Sequence, residues 1–131
     1  MISIDTNVLL RLLTDDDPIQ SPQARKFAEE NALFVSLLAI VECEWVLRSA
    51  YGWSVERIAD ALEALMLAPG VSVELTPLVS WALGRFRGGA DLADMMHLVM
   101  SRDTVAFASF DRRMTQRAGP SAPVSIRNLS A

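Results

Sequence analysis

The stretch that decides the fold is Met1-Ile2-Ser3-Ile4-Asp5-Thr6-Asn7-Val8-Leu9-Leu10, at the start of the chain. Its first four residues form a short apolar run, which is typical of a strand, and Asp5 follows the run directly. Either Asp5 or Thr6 can cap a helix that continues to about Thr14, because its side-chain oxygen accepts a free backbone N–H. The stretch therefore predicts a strand and a helix with a carboxylate at their junction.

Strands alternate with helices along the rest of the chain. The other predicted strands are 33–36, 71–75, 104–108 and 124–126, and the other predicted helices are 21–30, 37–50, 54–66, 76–86, 91–101 and 111–117. This alternation implies β-α-β units and a parallel sheet covered on both faces, which is an α/β fold. The length of 131 residues predicts a single domain over residues 1–131.

Composition excludes several classes of protein. Cys43 is the only cysteine, so a scaffold built on disulfides is excluded. No apolar run approaches the 18 or so residues that a membrane helix needs, and the N-terminus lacks the basic region of a secretion signal. We therefore expect a cytoplasmic protein that does not enter a membrane.

The charge is unevenly distributed along the chain. The net charge is −4, from 12 basic and 16 acidic residues, which argues against binding DNA through a basic surface alone. Residues 85–131 nevertheless carry seven Arg and four Asp, a balance of +3. Arginine binds phosphate well because its guanidinium offers paired donors. An arginine-rich codon bias would produce the same composition without any function.

Acidic residues follow the predicted strands. The ligand site of a parallel sheet lies beyond the carboxyl ends of its strands, so four segments can deliver carboxylates to one rim of the sheet. The acids in those segments are Asp5, Glu42, Asp91 with Asp94, and Asp111.

Each of these acids has a simpler interpretation that the sequence leaves open. Asp5, Asp91 and Asp111 can be ordinary helix caps. Glu42 is expected on the apolar stripe of its helix, with Glu44 as the solvated acid, and a buried carboxylate needs a compensating cation. Asp91 and Asp94 are three residues apart, so they share a helical face. Their like charges repel each other unless a cation lies between them.

The type of ligand favours a hard divalent cation. A site made only of carboxylate oxygens suits Mg²⁺ or Mn²⁺, whereas Zn²⁺ prefers cysteine or histidine. Cys43 and His97 are far apart in sequence, and we expect His97 on a helix surface. With four or five acids, either one or two ions fit.

Other chemistries lack their residues. The chain has no GxxxxGK[ST] phosphate loop and no GxGxxG after its first strand. Cys43 has no histidine within helical reach, which disfavours a nucleophilic triad. A phosphoacceptor receiver domain needs a lysine near its acids, but Lys26 is the only lysine. A haloacid-dehalogenase-type phosphohydrolase needs a second aspartate where the chain has Asn7.

The motifs taken together resemble PIN-domain ribonucleases, and specifically the VapC-type toxins of bacterial toxin–antitoxin pairs. The resemblance covers residues 1–128. The matching stretches are Ile4-Asp5-Thr6-Asn7-Val8-Leu9-Leu10, Val41-Glu42, Ala90-Asp91-Leu92-Ala93-Asp94 and Ser109-Phe110-Asp111-Arg112. This resemblance implies a three-layer α/β/α sandwich on a mainly parallel sheet, and an Mg²⁺- or Mn²⁺-dependent endoribonuclease that hydrolyses phosphodiester bonds in RNA.

The resemblance also assigns roles to individual residues. The core catalytic and metal-binding acids would be Asp5, Glu42 and Asp94, with Asp111 as a fourth acid and Asp91 as a further ligand. Asn7 and Ser109 would be polar residues beside the metal. Two positions depart from the family pattern: Ser109 replaces a threonine, and Met95-Met96-His97 replaces small apolar residues.

The remaining expectations concern partners. Flanking RNA phosphates would contact arginines of the C-terminal third, namely Arg85, Arg87, Arg112, Arg113 and Arg117. The resemblance implies a homodimer and a cognate antitoxin in a hetero-oligomer. The antitoxin would insert a Lys or Arg among the acids and dock a helix near Trp45 and 62–66. The alternative is a catalytically inactive PIN-like scaffold that binds RNA or protein.

Overall fold

The structure is a computed structural model that describes residues 1–130. Strands and helices alternate through these residues as the sequence predicts. In chain order, the elements are β1 (Ile2–Ile4), α1 (Thr6–Thr14), α2 (Gln20–Glu30), β2 (Leu33–Val35), α3 (Leu37–Ser49), α4 (Val55–Leu67), β3 (Val71–Val73), α5 (Thr76–Arg87), α6 (Leu92–Met100), β4 (Phe107–Ser109), α7 (Met114–Ala118) and β5 (Ile126–Asn128).

The chain divides into two compact units, Met1–Thr76 and Pro77–Ala131. The first unit contains a parallel sheet in the order β1-β2-β3, in which Ile4 is level with Val35 and Val35 with Val73. Each crossover between neighbouring strands carries two helices. The predicted parallel β-α-β organisation is therefore confirmed in this unit.

The helices of the first unit pack against one another. α1 contacts both α2 and α3, and α3 contacts α4. Since both crossovers step in the same direction, the usual right-handed connection would place all four helices on the same face of the sheet. The side chains of Leu9, Leu33, Leu47, Ile58 and Leu62 are fully buried.

The second unit contains a parallel pair of strands, β4 and β5, with Phe107 level with Ile126 and Ser109 level with Asn128. These strands begin two to three residues later than the sequence predicts. The backbone N–H and hydroxyl of Thr104 both donate to the carbonyl of Ser101, so this segment is a turn. The local pattern does not show where such short strands start, because their register depends on the partner strand.

Two further local predictions can be compared with the structure. Residues 111–113 form a turn in which Asp111 accepts a hydrogen bond from the backbone of Arg113, so α7 begins at Met114 rather than at residue 111. In residues 1–130, every helix is too short or too polar to cross a membrane.

Candidate active site

Asp5 lies at the end of β1 and caps α1. Its Oδ1 accepts a hydrogen bond of 3.0 Å from the backbone N–H of Val8, and its side chain is exposed. The predicted cap is therefore present. One oxygen of Asp5 is engaged in the cap, and the exposed carboxylate keeps its other lone pairs for a ligand.

Glu42 lies on the second turn of α3 and is exposed. Its Oε1 accepts a hydrogen bond of 3.0 Å from the hydroxyl of Thr6, the residue that follows Asp5. This bond brings Glu42 next to the junction of β1 and α1, where Asp5 lies. The sequence motifs did not predict this role of Thr6, because its partner lies 36 residues away along the chain.

The predicted orientation of α3 is wrong. Glu42 is exposed, whereas Glu44 is 4% exposed and receives a hydrogen bond of 2.8 Å from Nε of Arg48, one turn later. The helix has apolar residues on most of its circumference, and the buried stripe passes through Ile40, Cys43 and Leu47 rather than the stripe predicted from Glu42. The buried acid is therefore compensated by an arginine.

The second unit holds Asp91 and Asp94 at the start of α6. Asp91 is the cap of this helix, and its Oδ1 accepts a hydrogen bond of 2.9 Å from the backbone N–H of Asp94. Burial raises the pKa of the half-buried Asp94 carboxyl, and the charges of Asp91 and Asp111 raise it further. The charges of His97 and Arg117 lower the pKa of Asp94. These acids therefore form a locally repulsive cluster.

Ser109 and Asp111 lie at the end of β4. The Ser109 hydroxyl accepts a hydrogen bond of 3.0 Å from the backbone N–H of Asp111, so the two residues share one turn. Asp111 is exposed, and the charge of its carboxylate raises the pKa of Asp94. The charges of Asp91 and Asp111 thus both act on Asp94, so these three acids share one electrostatic neighbourhood.

The donors of this neighbourhood fit a hard cation. They are carboxylate oxygens, and a divalent ion would offset the repulsion that raises the pKa of Asp94. Within residues 1–130, however, no three His, Cys, Asp or Glu side chains are close enough to hold one ion between them. Binding would thus require the side chains of the second unit's acids to move closer together.

The remaining candidate residues have other partners. Nδ2 of Asn7 donates to Oε1 of Gln20 on α2, at 3.3 Å. His97 is exposed on α6, as predicted, and its ring centroid lies 6.0 Å from that of Phe107. Cys43 is fully buried, and burial raises the pKa of its thiol to about 12, which removes it as a nucleophile at neutral pH.

The predicted phosphate-binding arginines differ from one another in their surroundings. Arg113 is exposed, and Nε of Arg112 donates to the Ser130 hydroxyl at 3.3 Å. Arg87 is half-buried in the last turn of α5. Nε of Arg85 donates to the backbone carbonyl of Arg117 at 2.6 Å. Arg112 and Arg113 are thus accessible, whereas Arg85 is held by the backbone.

Both units contain parallel strands, with Asp5 directly after β1 in the first unit and Asp111 two residues after β4 in the second. Comparison with known families agrees with this arrangement: the family model described as the PIN domain matches residues 2–120. The chain belongs to the PIN domain family, which confirms the predicted α/β/α fold class. No curated protein matches the chain significantly. PIN domains are generally nucleases, and these nucleases generally use divalent metals.

Proposed function

We propose that the chain is a metal-dependent endoribonuclease that uses Mg²⁺ or Mn²⁺. The observation that carries this proposal is the cluster of Asp91, Asp94 and Asp111 in a member of the PIN family, in which burial and then the charges of the two neighbouring carboxylates raise the pKa of Asp94. Such repulsion is the expected state of a cation site before a cation binds. PIN domains are generally nucleases. To this we add RNA as the substrate and Mg²⁺ or Mn²⁺ as the cofactor.

The proposed metal ligands are the acids at the two strand ends and on α3 and α6, namely Asp5, Glu42, Asp91, Asp94 and Asp111. A bound divalent ion would neutralise non-bridging phosphate oxygens and lower the pKa of a water molecule. A carboxylate oxygen of one of these acids is the proposed acceptor of the water proton. Thr6 holds Glu42 in place through the hydrogen bond to Oε1.

We also propose that the chain is a cytoplasmic toxin of a toxin–antitoxin pair. The similarity of its motifs to VapC-type toxins supports this role, and so do the exposed side chains of Leu38 and Trp45 on α3, at 67% and 60% exposure. Large apolar side chains at a surface favour contact with a partner. The proposed partners are a second copy of the chain and an antitoxin helix with a Lys or Arg for the acids.

One observation favours the alternative of an inactive PIN-like scaffold. Asp5 and Asp91 both accept cap hydrogen bonds, which alone give a reason for aspartate at these positions. A scaffold would bind RNA or protein without cleaving it, and the two functions are separated by a direct assay.

The test is cleavage of a labelled RNA oligonucleotide by the purified chain. We expect cleavage with added Mg²⁺ or Mn²⁺, loss with EDTA, and loss in Glu42→Gln and Asp94→Asn. The matched control variants are Glu30→Gln and Asp103→Asn, which change exposed acids away from the proposed ligands. Equal cleavage by Asp94→Asn and Asp103→Asn would refute the assignment of Asp94 to the catalytic site. RNA binding by the wild type without any cleavage would refute the nuclease function and favour the scaffold.

A further inference from the structure

A polar pocket of about 260 Å³ lies in the second unit, at the C-terminal end of α5. We call it the arginine pocket, and its lining residues are Arg85, Gly88, Gly89, Ala90, Gln116 and Arg117. A water molecule takes about 30 Å³ of liquid, so the pocket has room for a phosphate group with part of its hydration.

The backbone fixes both guanidinium groups. Arg85 donates from Nε to the carbonyl of Arg117 at 2.6 Å and from Nη2 to the carbonyl of Gln116 at 3.2 Å. Arg117 donates from Nη1 to the carbonyl of Gly89. A guanidinium has five N–H donors, so each arginine keeps donors for a ligand after these bonds. Fixed donors lose little entropy when a ligand binds.

The orientation of Arg85 also depends on Gly119. A Cβ atom added at Gly119 would lie 2.9 Å from Cζ of Arg85, so the guanidinium packs directly against the backbone there. Gly119 further has a φ of 74°, a conformation that favours glycine. The sequence between α7 and β5 therefore leaves space for the guanidinium.

The guanidinium groups of the pocket form no direct ion pairs in the described residues. In the described part of the chain, the bonds of Arg85 and Arg117 go to uncharged carbonyls, and neither guanidinium forms an ion pair with a carboxylate. Two half-buried like charges with spare donors favour an anion between them. Arginine suits phosphate in particular, because paired N–H donors match two phosphate oxygens.

We propose that the arginine pocket binds a backbone phosphate of the RNA substrate, beside the phosphate that is cleaved. This rests on the proposed nuclease function and gives it a subsite for the RNA strand. Ala90 lines the pocket and directly precedes Asp91, the cap of α6, so the pocket adjoins the start of the helix that carries Asp94. An RNA strand that runs from these acids along the second unit would meet the two guanidinium groups.

Gly88 allows a test that leaves both arginines in place. A Cβ atom at Gly88 would lie 3.5 Å from the carbonyl oxygen of Arg85 and 3.9 Å from that of Gly84, which are ordinary distances. The φ of Gly88 also lies outside the positive range that favours glycine. Gly88→Glu therefore places a carboxylate at the pocket, and Gly88→Gln is the matched control for size. Circular dichroism and thermal melting check that both variants fold.

Two measurements compare these variants. Inorganic phosphate, titrated at constant ionic strength, is expected to shift the amide NMR signals of Gly89 and Ala90 in Gly88→Gln but not in Gly88→Glu. A short single-stranded RNA in EDTA is expected to bind Gly88→Glu about tenfold more weakly than Gly88→Gln. The slope of log affinity against log salt should become shallower by about 0.7 for each RNA phosphate that Gly88→Glu no longer binds.

Each outcome decides a separate question. Equal RNA affinity of Gly88→Glu and Gly88→Gln would overturn the RNA subsite, even if the wild type cleaves RNA. If phosphate shifts the NMR signals of Gly88→Gln alone but both variants bind RNA equally, the pocket is a site for free phosphate. That result would also overturn the RNA subsite. Conversely, absence of cleavage by the wild type with a clear difference between the two variants would refute the nuclease function and support the phosphate pocket.

Discussion

The backbone N–H of Asp94 donates a hydrogen bond of 2.9 Å to Oδ1 of Asp91. This bond caps α6 and holds the Asp91 carboxylate close to Asp94. The negative charge of Asp91 helps to raise the pKa of Asp94. The residue that stabilises the start of the helix therefore contributes to the electrostatics of the proposed metal site. The two effects can be separated by substitutions that keep one and remove the other.

Asp91→Asn is expected to lower the pKa of Asp94 towards the ordinary value of 3.8, because it removes a neighbouring negative charge. The helix cap is retained, since asparagine caps helices as well as aspartate. NMR titration of the Asp94 side-chain carboxyl carbon measures the change. Asp103→Asn is the control, since its side chain is 91% exposed beside Arg102. An unchanged pKa in Asp91→Asn would show that the two carboxylates do not interact.

Asp94→Asn is expected to raise the melting temperature at pH 7 in EDTA. The folded pKa of Asp94 lies above its ordinary value of 3.8, so its protonation stabilises the fold. That stabilisation is complete below pH 3.8 and is lost as the pH rises through the folded pKa. The difference in melting temperature between Asp94→Asn and the wild type should thus disappear as the pH falls towards 3.8. A lower melting temperature for Asp94→Asn at pH 7 would contradict a repulsive cluster.

Substitutions at Asp5 are expected to separate catalysis from stability. Asp5→Asn keeps an oxygen for the backbone N–H of Val8, whereas Asp5→Ala removes the cap and costs about 1 kcal/mol. Both variants should lose RNA cleavage, because both remove the charge proposed to bind metal. Urea denaturation and the RNA assay measure the two effects. Cleavage by Asp5→Asn at the wild-type rate would leave Asp5 with the cap role alone.

Cys43 is expected to react with thiol reagents only when the protein unfolds. The side chain is fully buried, and burial raises the pKa of the thiol from 9.0 to about 12. The protonated thiol favours the folded state below pH 9, and this contribution is lost as the pH rises towards 12. Labelling with a disulfide reagent at pH 8 should therefore be fast only in urea-unfolded controls. Rapid labelling of the folded chain would contradict the burial.

The predictions that the structure confirms depend on local interactions. The strand ending at Ile4, the cap at Asp5 and the cap at Asp91 follow from residues within one turn of each other, so the sequence shows them directly. The predicted start of a helix at residue 54 is of the same kind, because the Ser54 side chain accepts a hydrogen bond from the backbone N–H of Arg57. These features place two of the candidate acids at the ends of secondary-structure elements without any tertiary information.

The predictions that were wrong depend on packing between distant segments. Apolar residues surround most of α3, so its sequence offers two candidate core stripes, and tertiary packing selects the stripe that buries Glu44 instead of Glu42. The bond from Thr6 to Glu42 joins residues far apart in sequence and has no local signal. Strands of three residues, such as β4, take their register from their partners.

Parallel pairing in the first sheet also imposes an order of events during synthesis. Ile2 pairs with Leu33, and Leu33 pairs with Val71, so the nascent chain cannot complete this sheet until its third strand has left the ribosome. At about 5–20 residues per second this delay lasts several seconds, and such non-local pairing folds slowly. Asp5 and Glu42 are translated long before Asp94 and Asp111, so a nuclease that needs all four acids would stay inactive at least until Asp111 has been translated.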